Sequence, residues 1–177
     1  IDPIREELIT ASVTFVGSER DILHPRPENC RMIRLENPII DSPSLAALEN
    51  IDRAGFRSQT LPILYAFKGE NPGSVDEGAS GDVDPRGSEG AVFGSDLEQA
   101  MDSLFAAADS AISEGVNILI LSDRGVDERQ APIPALLAVA GLHHHLIGRG
   151  TRTKVSIVLE SGEPREVHHF AVLLGYG

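Results

Sequence analysis

Tryptophan is missing from this sequence, aromatic residues make up 5% of it, and Cys30 is the single cysteine among 177 residues. One cysteine excludes an internal disulfide, a four-cysteine zinc site and an iron–sulfur cluster built from this chain alone, and it suits a reducing compartment. So few aromatic rings leave little to stack the bases of single-stranded nucleic acid. Basic residues are also scarce: 15 Lys+Arg stand against 27 Asp+Glu, a formal net charge of -12. That surface repels polyanions, which argues against nucleic acid or an anionic membrane as partner; the plain reading is solubility. No apolar run approaches the roughly 20 residues of a membrane span, and no signal peptide is recognisable. There is no G-x-G-x-x-G after a strand, no Walker-type loop, no G-x-S-x-G elbow and no C-x-x-C.

What is present suits one α/β core. Hydrophobic residues reach 41%, enough for a single domain or a large part of one. The chain opens at Ile1 and closes on Gly175-Tyr176-Gly177 directly after an apolar stretch, so the expectation is a segment of a larger enzyme covering residues 1–177. Asp2-Pro3 offers a helix start, with Ile4, Leu8, Ala11 and Phe15 at near-helical spacing before Gly17. Residues 18–30 read as loop and Arg31–Leu35 as a short strand. Ser42-Pro43 begins a helix with Leu45, Leu48 and Ile51 inward, and Thr60–Phe67 reads as a strand with a break or an edge near Pro62. Residues 69–94, glycine-rich and acidic, read as a flexible surface loop. Asp82 and Asp84 there lack the ligand run of a calcium loop.

From residue 95 the pattern becomes regular. Ser95 and Glu98 form a capping box for a helix ending at Gly115. Val116–Leu121 is continuously apolar, as in a strand buried on both faces. Pro134 starts a helix that runs through Ile147, Lys154–Leu159 is a strand, and a helix from about Arg165 to Leu174 follows. The expected fold is α/β, with parallel βα units forming an incomplete TIM-barrel-like half-barrel; an open doubly wound sheet is the alternative.

Loops after the carboxyl ends of parallel strands carry the chemistry of such folds. Ser122, Asp123 and Arg124 hold that position after the most apolar strand. Arg124 could bind a carboxylate or phosphate and Asp123 could orient it, whereas the plainer reading is an ion pair fastening the loop. Gly148–Arg152 is a basic turn, but it precedes a strand instead of opening a helix, a weak phosphate signal. His143, His144 and His145 share one helix, and His168 and His169 the next. Adjacent helical side chains diverge by about 100°, so three in a row cannot meet at one metal ion. His143 continues an apolar stripe and reads as a hydrogen-bonded core residue, with the histidines packing where the two helices meet. A metal module using His143, His144, His168 or His169 is the rival, and an independent phosphate- or flavin-binding half-barrel using Arg124, Arg149 and Arg152 is another.

Several segments together resemble one family. Ile1–Glu6 is similar to the opening of the central domain of the glutamate synthase large chain. So are Ile118–Arg124, Ile133–Ala138, His143–Ile147, Arg165–Ala171 and Leu173–Gly177, in shared order and spacing. The resemblance implies a multidomain enzyme that makes two glutamates from glutamine, 2-oxoglutarate and reducing equivalents. It implies an amidotransferase domain and an FMN-binding synthase domain as partners in the same chain, with a small reductase subunit a further candidate. FMN and an iron–sulfur cluster belong to that whole enzyme, with no cofactor, metal or catalytic residue expected in this segment. The implied role is a connector that helps enclose the ammonia route, in the cytoplasm, or in a plastid for a ferredoxin-dependent parent. Ser122, Asp123, Arg124, His143, His144, Arg165, His168 and His169 are then loop or interface candidates.

Overall fold

Strand and helix formers alternate along the chain, and the computed structural model, which describes residues 12–66 and 89–177, turns them into strands and helices. In order these are β1 (Thr14–Val16), β2 (Ile33–Leu35), α1 (Ser42–Glu49), β3 (Ser58–Pro62), β4 (Leu64–Ala66) and α2 (Glu89–Ser113). There follow β5 (Ile118–Ser122), β6 (Gln130–Pro132), α3 (Ala135–Gly148), β7 (Ser156–Glu160) and α4 (Val167–Tyr176). β3, β5 and β7 form one sheet in that order. All three run parallel, with Ser58 opposite Ile118 and Ile118 opposite Ser156. β1 pairs antiparallel with β2, and β4 with β6.

β5 is the centre, and each of its five residues is buried. Side chains alternate across a strand, so Leu119 and Leu121 join one core with Met101 and Leu104 of α2 and Leu142 and Leu146 of α3. Ile118 and Ile120 join the other with Val16 of β1 and Leu48 of α1. Each such side chain contributes about 1.5–3 kcal/mol when fully buried. The crossover helices α2 and α3 therefore lie on one face, and α1 with the β1–β2 pair covers the other. Both faces being apolar explains the unbroken run that marks β5 in the sequence.

Local groups fix the ends of these elements. Gly115 ends α2 with φ +90, a left-handed conformation that favours glycine, and the Val116 N–H donates to the Ala111 carbonyl at 3.0 Å. Asn117 ties the start of β5 to the turn before β3: its Oδ1 accepts from Arg57 N–H at 3.0 Å and its Nδ2 donates to Gly55 O at 2.7 Å. Gly141 lies where α3 crosses α2, and a Cβ there would oblige the end of the flexible Met101 side chain to shift.

The parallel α/β class is as the sequence implies, and no closed barrel forms among the described residues. Two local expectations are corrected, and the break expected near Pro62 is located. The proposed first helix does not reach Phe15, since Thr14–Val16 is β1; its start falls outside the described residues. The run from Thr60 divides at Ile63, whose N–H donates to Ser122 O at 2.9 Å while its carbonyl accepts from Ile133 N–H at 2.8 Å. Backbone pairing thus passes from β5 to the β4–β6 side within one residue, and Pro62 closes β3, an edge strand that can spare its missing donor. Helix α2 begins at Glu89, so Ser95 lies inside it and the capping box does not mark its start. The expected loop is therefore helical over 89–94, and 69–88 lies outside the described residues. Other boundaries move by about two residues.

Candidate functional site

The parallel register brings the last residue of β5, Ser122, beside the last residue of β7, Glu160. Ser122 is buried, and its hydroxyl donates to Glu160 Oε2 at 2.6 Å. Arg124 Nε pairs with the other oxygen of the same carboxylate. Glu160, hydrogen-bonding to Arg124 first and through its charge second, raises the guanidinium pKa above its usual value. Arg124 N–H also donates to Ser122 Oγ at 3.2 Å.

Asp123 turns the other way. Its Oδ2 accepts from Ser161 Oγ at 2.7 Å and from Gly162 N–H at 3.1 Å. Glu163, next along that loop, accepts from Ala135 N–H at 3.0 Å, placing a carboxylate at the positive end of α3. The loops after β5 and β7 and the start of α3 are thus stitched into one network. Ser122, Asp123 and Arg124 are brought together at the carboxyl end of the sheet, and each is engaged by the neighbouring loop.

The histidines separate. On α3, Arg152 Nε donates to His143 Nδ1 at 3.0 Å, which assigns the ring proton to Nε2. Burial first, then the charges of Arg152 and His144, hold the His143 pKa below its usual value. His145 faces α2, its Nε2 3.1 Å from Asp109 Oδ2, and stacks on Phe105 with ring centroids 4.6 Å apart. His144, His168 and Arg165 are exposed; His169, also exposed, accepts from Arg165 N–H at 3.1 Å. α3 and α4 meet at His143 and Val139, which lie against Gly177, and Arg152 braces that contact by donating also to Val155 O and to Gly177 O, each at 2.8 Å. Among the described residues, no three His, Cys, Asp or Glu side chains gather where they could hold a metal ion.

The three arginines of the phosphate or flavin reading already have partners. Arg124 is with Glu160, Arg149 Nε is 3.3 Å from Asp109 Oδ2, and Arg152 uses Nε, Nη1 and Nη2 within the chain. With Cys30 alone, a cysteine-held cluster cannot be assembled here either. These residues do not fit an iron–sulfur cluster.

Glu160, Ser161, Glu163 and Asp109 were not picked out by sequence. The available signal was a carboxylate ending an apolar strand run at the level of Ser122, which needs the strand register to be read. Beside the network a groove of about 840 Å³ runs along β7, lined among others by Phe15, Ile39, Val155, Glu160, Phe170 and Leu174.

Comparison with known proteins matches this sequence to one family. The family model described as glutamate synthase central domain covers residues 1–177. The chain is 44% identical over its whole length to the glutamate synthase [NADPH] large chain of Bacillus subtilis. It is 31% identical to glutamate synthase [NADH] of Schizosaccharomyces pombe and 34% to the chloroplastic ferredoxin-dependent glutamate synthase of Spinacia oleracea, again over all of this chain. It spans only 10%, 7% and 10% of the lengths of these three relatives. With the match unbroken from first residue to last, the chain belongs to the glutamate synthase central domain family.

Proposed function

We propose that this chain is a connecting and supporting domain of a glutamate synthase, the enzyme that converts glutamine, 2-oxoglutarate and reductant into two glutamates. In this reading it holds an amidotransferase domain and an FMN-binding synthase domain of the same polypeptide in register. It also helps wall off the path that ammonia takes between them. The observation that carries the reading is the state of the loops after β5 and β7. There, where an α/β enzyme places its reactive groups, Ser122, Asp123, Arg124 and Glu160 bind one another and the adjoining loop.

A wall for a small neutral nucleophile needs water exclusion and rigid support, not charged catalysts, and a cross-linked loop layer supplies that support. Parallel strands in chain order, with both crossover helices on one face, suit a stretch of barrel wall. The finer reading is a half-barrel whose other face is filled by α1 and the β1–β2 pair. FMN and the iron–sulfur cluster then sit in neighbouring parts of the parent, with a small reductase subunit as a further partner where the donor is a nicotinamide nucleotide. By their names the relatives draw on NADPH, NADH or ferredoxin. A domain common to all three suits a task that does not depend on the donor. The parent is placed in the cytoplasm, or in a plastid if ferredoxin-dependent.

The test is to purify this chain and assay glutamine hydrolysis, flavin absorbance, and thermal stability with added FMN or inorganic phosphate. The expected result is no hydrolysis, no stoichiometric flavin and no ligand-dependent rise in Tm. Because a native-state ligand stabilises by mass action, a saturable rise with FMN or phosphate would instead support an independent binding half-barrel.

A further inference from the structure

The loop between β1 and β2 is built the wrong way round for a turn that faces only water. Its polar groups are engaged within the loop. Asn29 Nδ2 donates to Glu19 O at 2.8 Å and to Asp21 O at 3.0 Å, and its Oδ1 accepts from Arg26 N–H at 3.2 Å. The Asp21 carboxylate accepts from Leu23 N–H at 3.0 Å and lies 2.8 Å from His24 Nδ1. Ile22 and Leu23, by contrast, stand 65% and 81% exposed.

The loop is also tied to the body of the domain. Arg20 N–H donates to Thr153 O at 2.9 Å, and Ser18 Oγ donates to the same carbonyl at 3.4 Å. Arg20 has φ 60, a left-handed conformation that a residue other than glycine keeps only where its surroundings impose it. A single exposed leucine is ordinary. Two adjacent aliphatic side chains on a braced turn are different, because the entropy of ordering that turn is already lost before any partner arrives.

Thr153 lies just before β7, so this turn stands at the opposite end of the sheet from the Ser122–Glu160 network. Size and charge indicate what it meets. Two aliphatic side chains cover only a fraction of the roughly 800 Å² per partner that free association requires. They suffice for a tethered partner, since a linked site has an effective concentration in the millimolar range. Glu19, Asp21 and Glu28 balance Arg20, Arg26 and Arg31, so the turn itself carries no net charge, whereas a second copy of the chain would bring another formal charge of -12 against the first. We propose that Ile22 and Leu23 form a preset anchor that seats in an apolar pocket of another domain of the same synthase polypeptide. This rests on the reading of the chain as a connecting domain, and it suits relatives of which the chain spans only 10% or 7%.

The test uses the full-length synthase. A photo-crosslinking residue in place of Leu23 should form adducts within one polypeptide, at apolar residues outside this domain. Leu23→Ser should raise tryptic cleavage after Arg20 about 10-fold, the change expected when one buried aliphatic contact is lost. Leu23→Met, which refills the pocket, should stay within about 2-fold of the unsubstituted enzyme. Adducts that join two polypeptides would overturn the proposal, as would adducts confined to this domain or none at all. Equal cleavage of Leu23→Ser and the unsubstituted enzyme would overturn it too. Neither readout depends on flavin content or glutamine hydrolysis, so this proposal and the connecting role can fail separately.

Discussion

Glu160→Ala removes the acceptor that Ser122 and Arg124 share, and the two halves of that contact carry unequal weight. The Ser122 hydroxyl donates at 2.6 Å from a residue only 5% exposed. A hydrogen bond to a charged group contributes about 1.5–3 kcal/mol, and a buried donor left without a partner costs about 1–3 kcal/mol. Arg124 differs, because its side chain is 73% exposed, and an ion pair screened by water contributes little. The expected loss for Glu160→Ala is therefore about 2–3 kcal/mol, most of it from the Ser122 side. Glu160→Gln keeps an acceptor for that hydroxyl and should lose about 1 kcal/mol. The assay is urea unfolding of this chain followed by circular dichroism, with double-mutant cycles for Ser122→Ala and Arg124→Ala against Glu160→Ala. The Ser122 coupling should exceed about 1 kcal/mol, whereas the Arg124 coupling should be smaller and shrink with added salt. A Glu160→Ala chain within about 0.5 kcal/mol of the unsubstituted one, the range of ordinary surface changes, would refute the fastening role.

His143 should give the chain a pH-dependent stability. Its folded pKa is lowered beneath 6.5, so the unfolded state binds the proton first. The stabilisation is complete above that unfolded value and is lost as pH falls toward the folded one. Urea midpoints at about pH 7.5 and about pH 5 should differ less in His143→Gln than in the unsubstituted chain, and equal differences would contradict the assignment. Gly141→Ala should cost at most about 1 kcal/mol, because only the flexible end of Met101 must move at the α2–α3 crossing and alanine is the better helix former by roughly 1 kcal/mol. That cost should shrink in a Met101→Ala background, from which the colliding methyl is gone. Asp109→Ala should lower stability by about 1–2 kcal/mol by removing the shared partner of His145 and Arg149. A melting temperature unchanged from the original chain would show that this cross-helix contact contributes nothing.

β5 was legible because burial on both faces leaves a composition that no other strand among the described residues has. α3 and β7 were legible within about two residues for a related reason, since long periodic segments outvote their ends. β2 and β4 were read as parts of longer strand runs, whereas β1 and β6, with three residues each, are too short for a period of two to declare itself. Phe15 therefore fitted a helical stripe equally well, and only its pairing opposite Arg34 decides the matter. Ser95 and Glu98 carry an authentic local helix-start pattern, but α2 extends upstream of it. For the loop network, sequence supplied Ser122, Asp123 and Arg124 by position and offered the fastening reading. It could not supply Glu160, which lies 38 residues beyond Ser122 and meets it only through strand register. The histidines were placed at a contact between the last two helices. His143 does lie there, against Gly177 and bonded to Arg152, whereas His145 faces α2, because the partner that decides its direction, Asp109, lies in an earlier helix.

The roof formed by β1, β2 and α1 has a consequence for how the chain is made. Gly17 exchanges hydrogen bonds with the Ser156 side chain, 139 residues later. A ribosome adding about 5–20 residues per second thus releases Val16 and Leu48 roughly ten seconds before the β7 residues that complete their core. Until then this early segment has no native surface to settle on. Such distant pairing slows folding and lengthens exposure to aggregation, so nascent forms of this domain should be clients of chaperones that shelter apolar segments during translation.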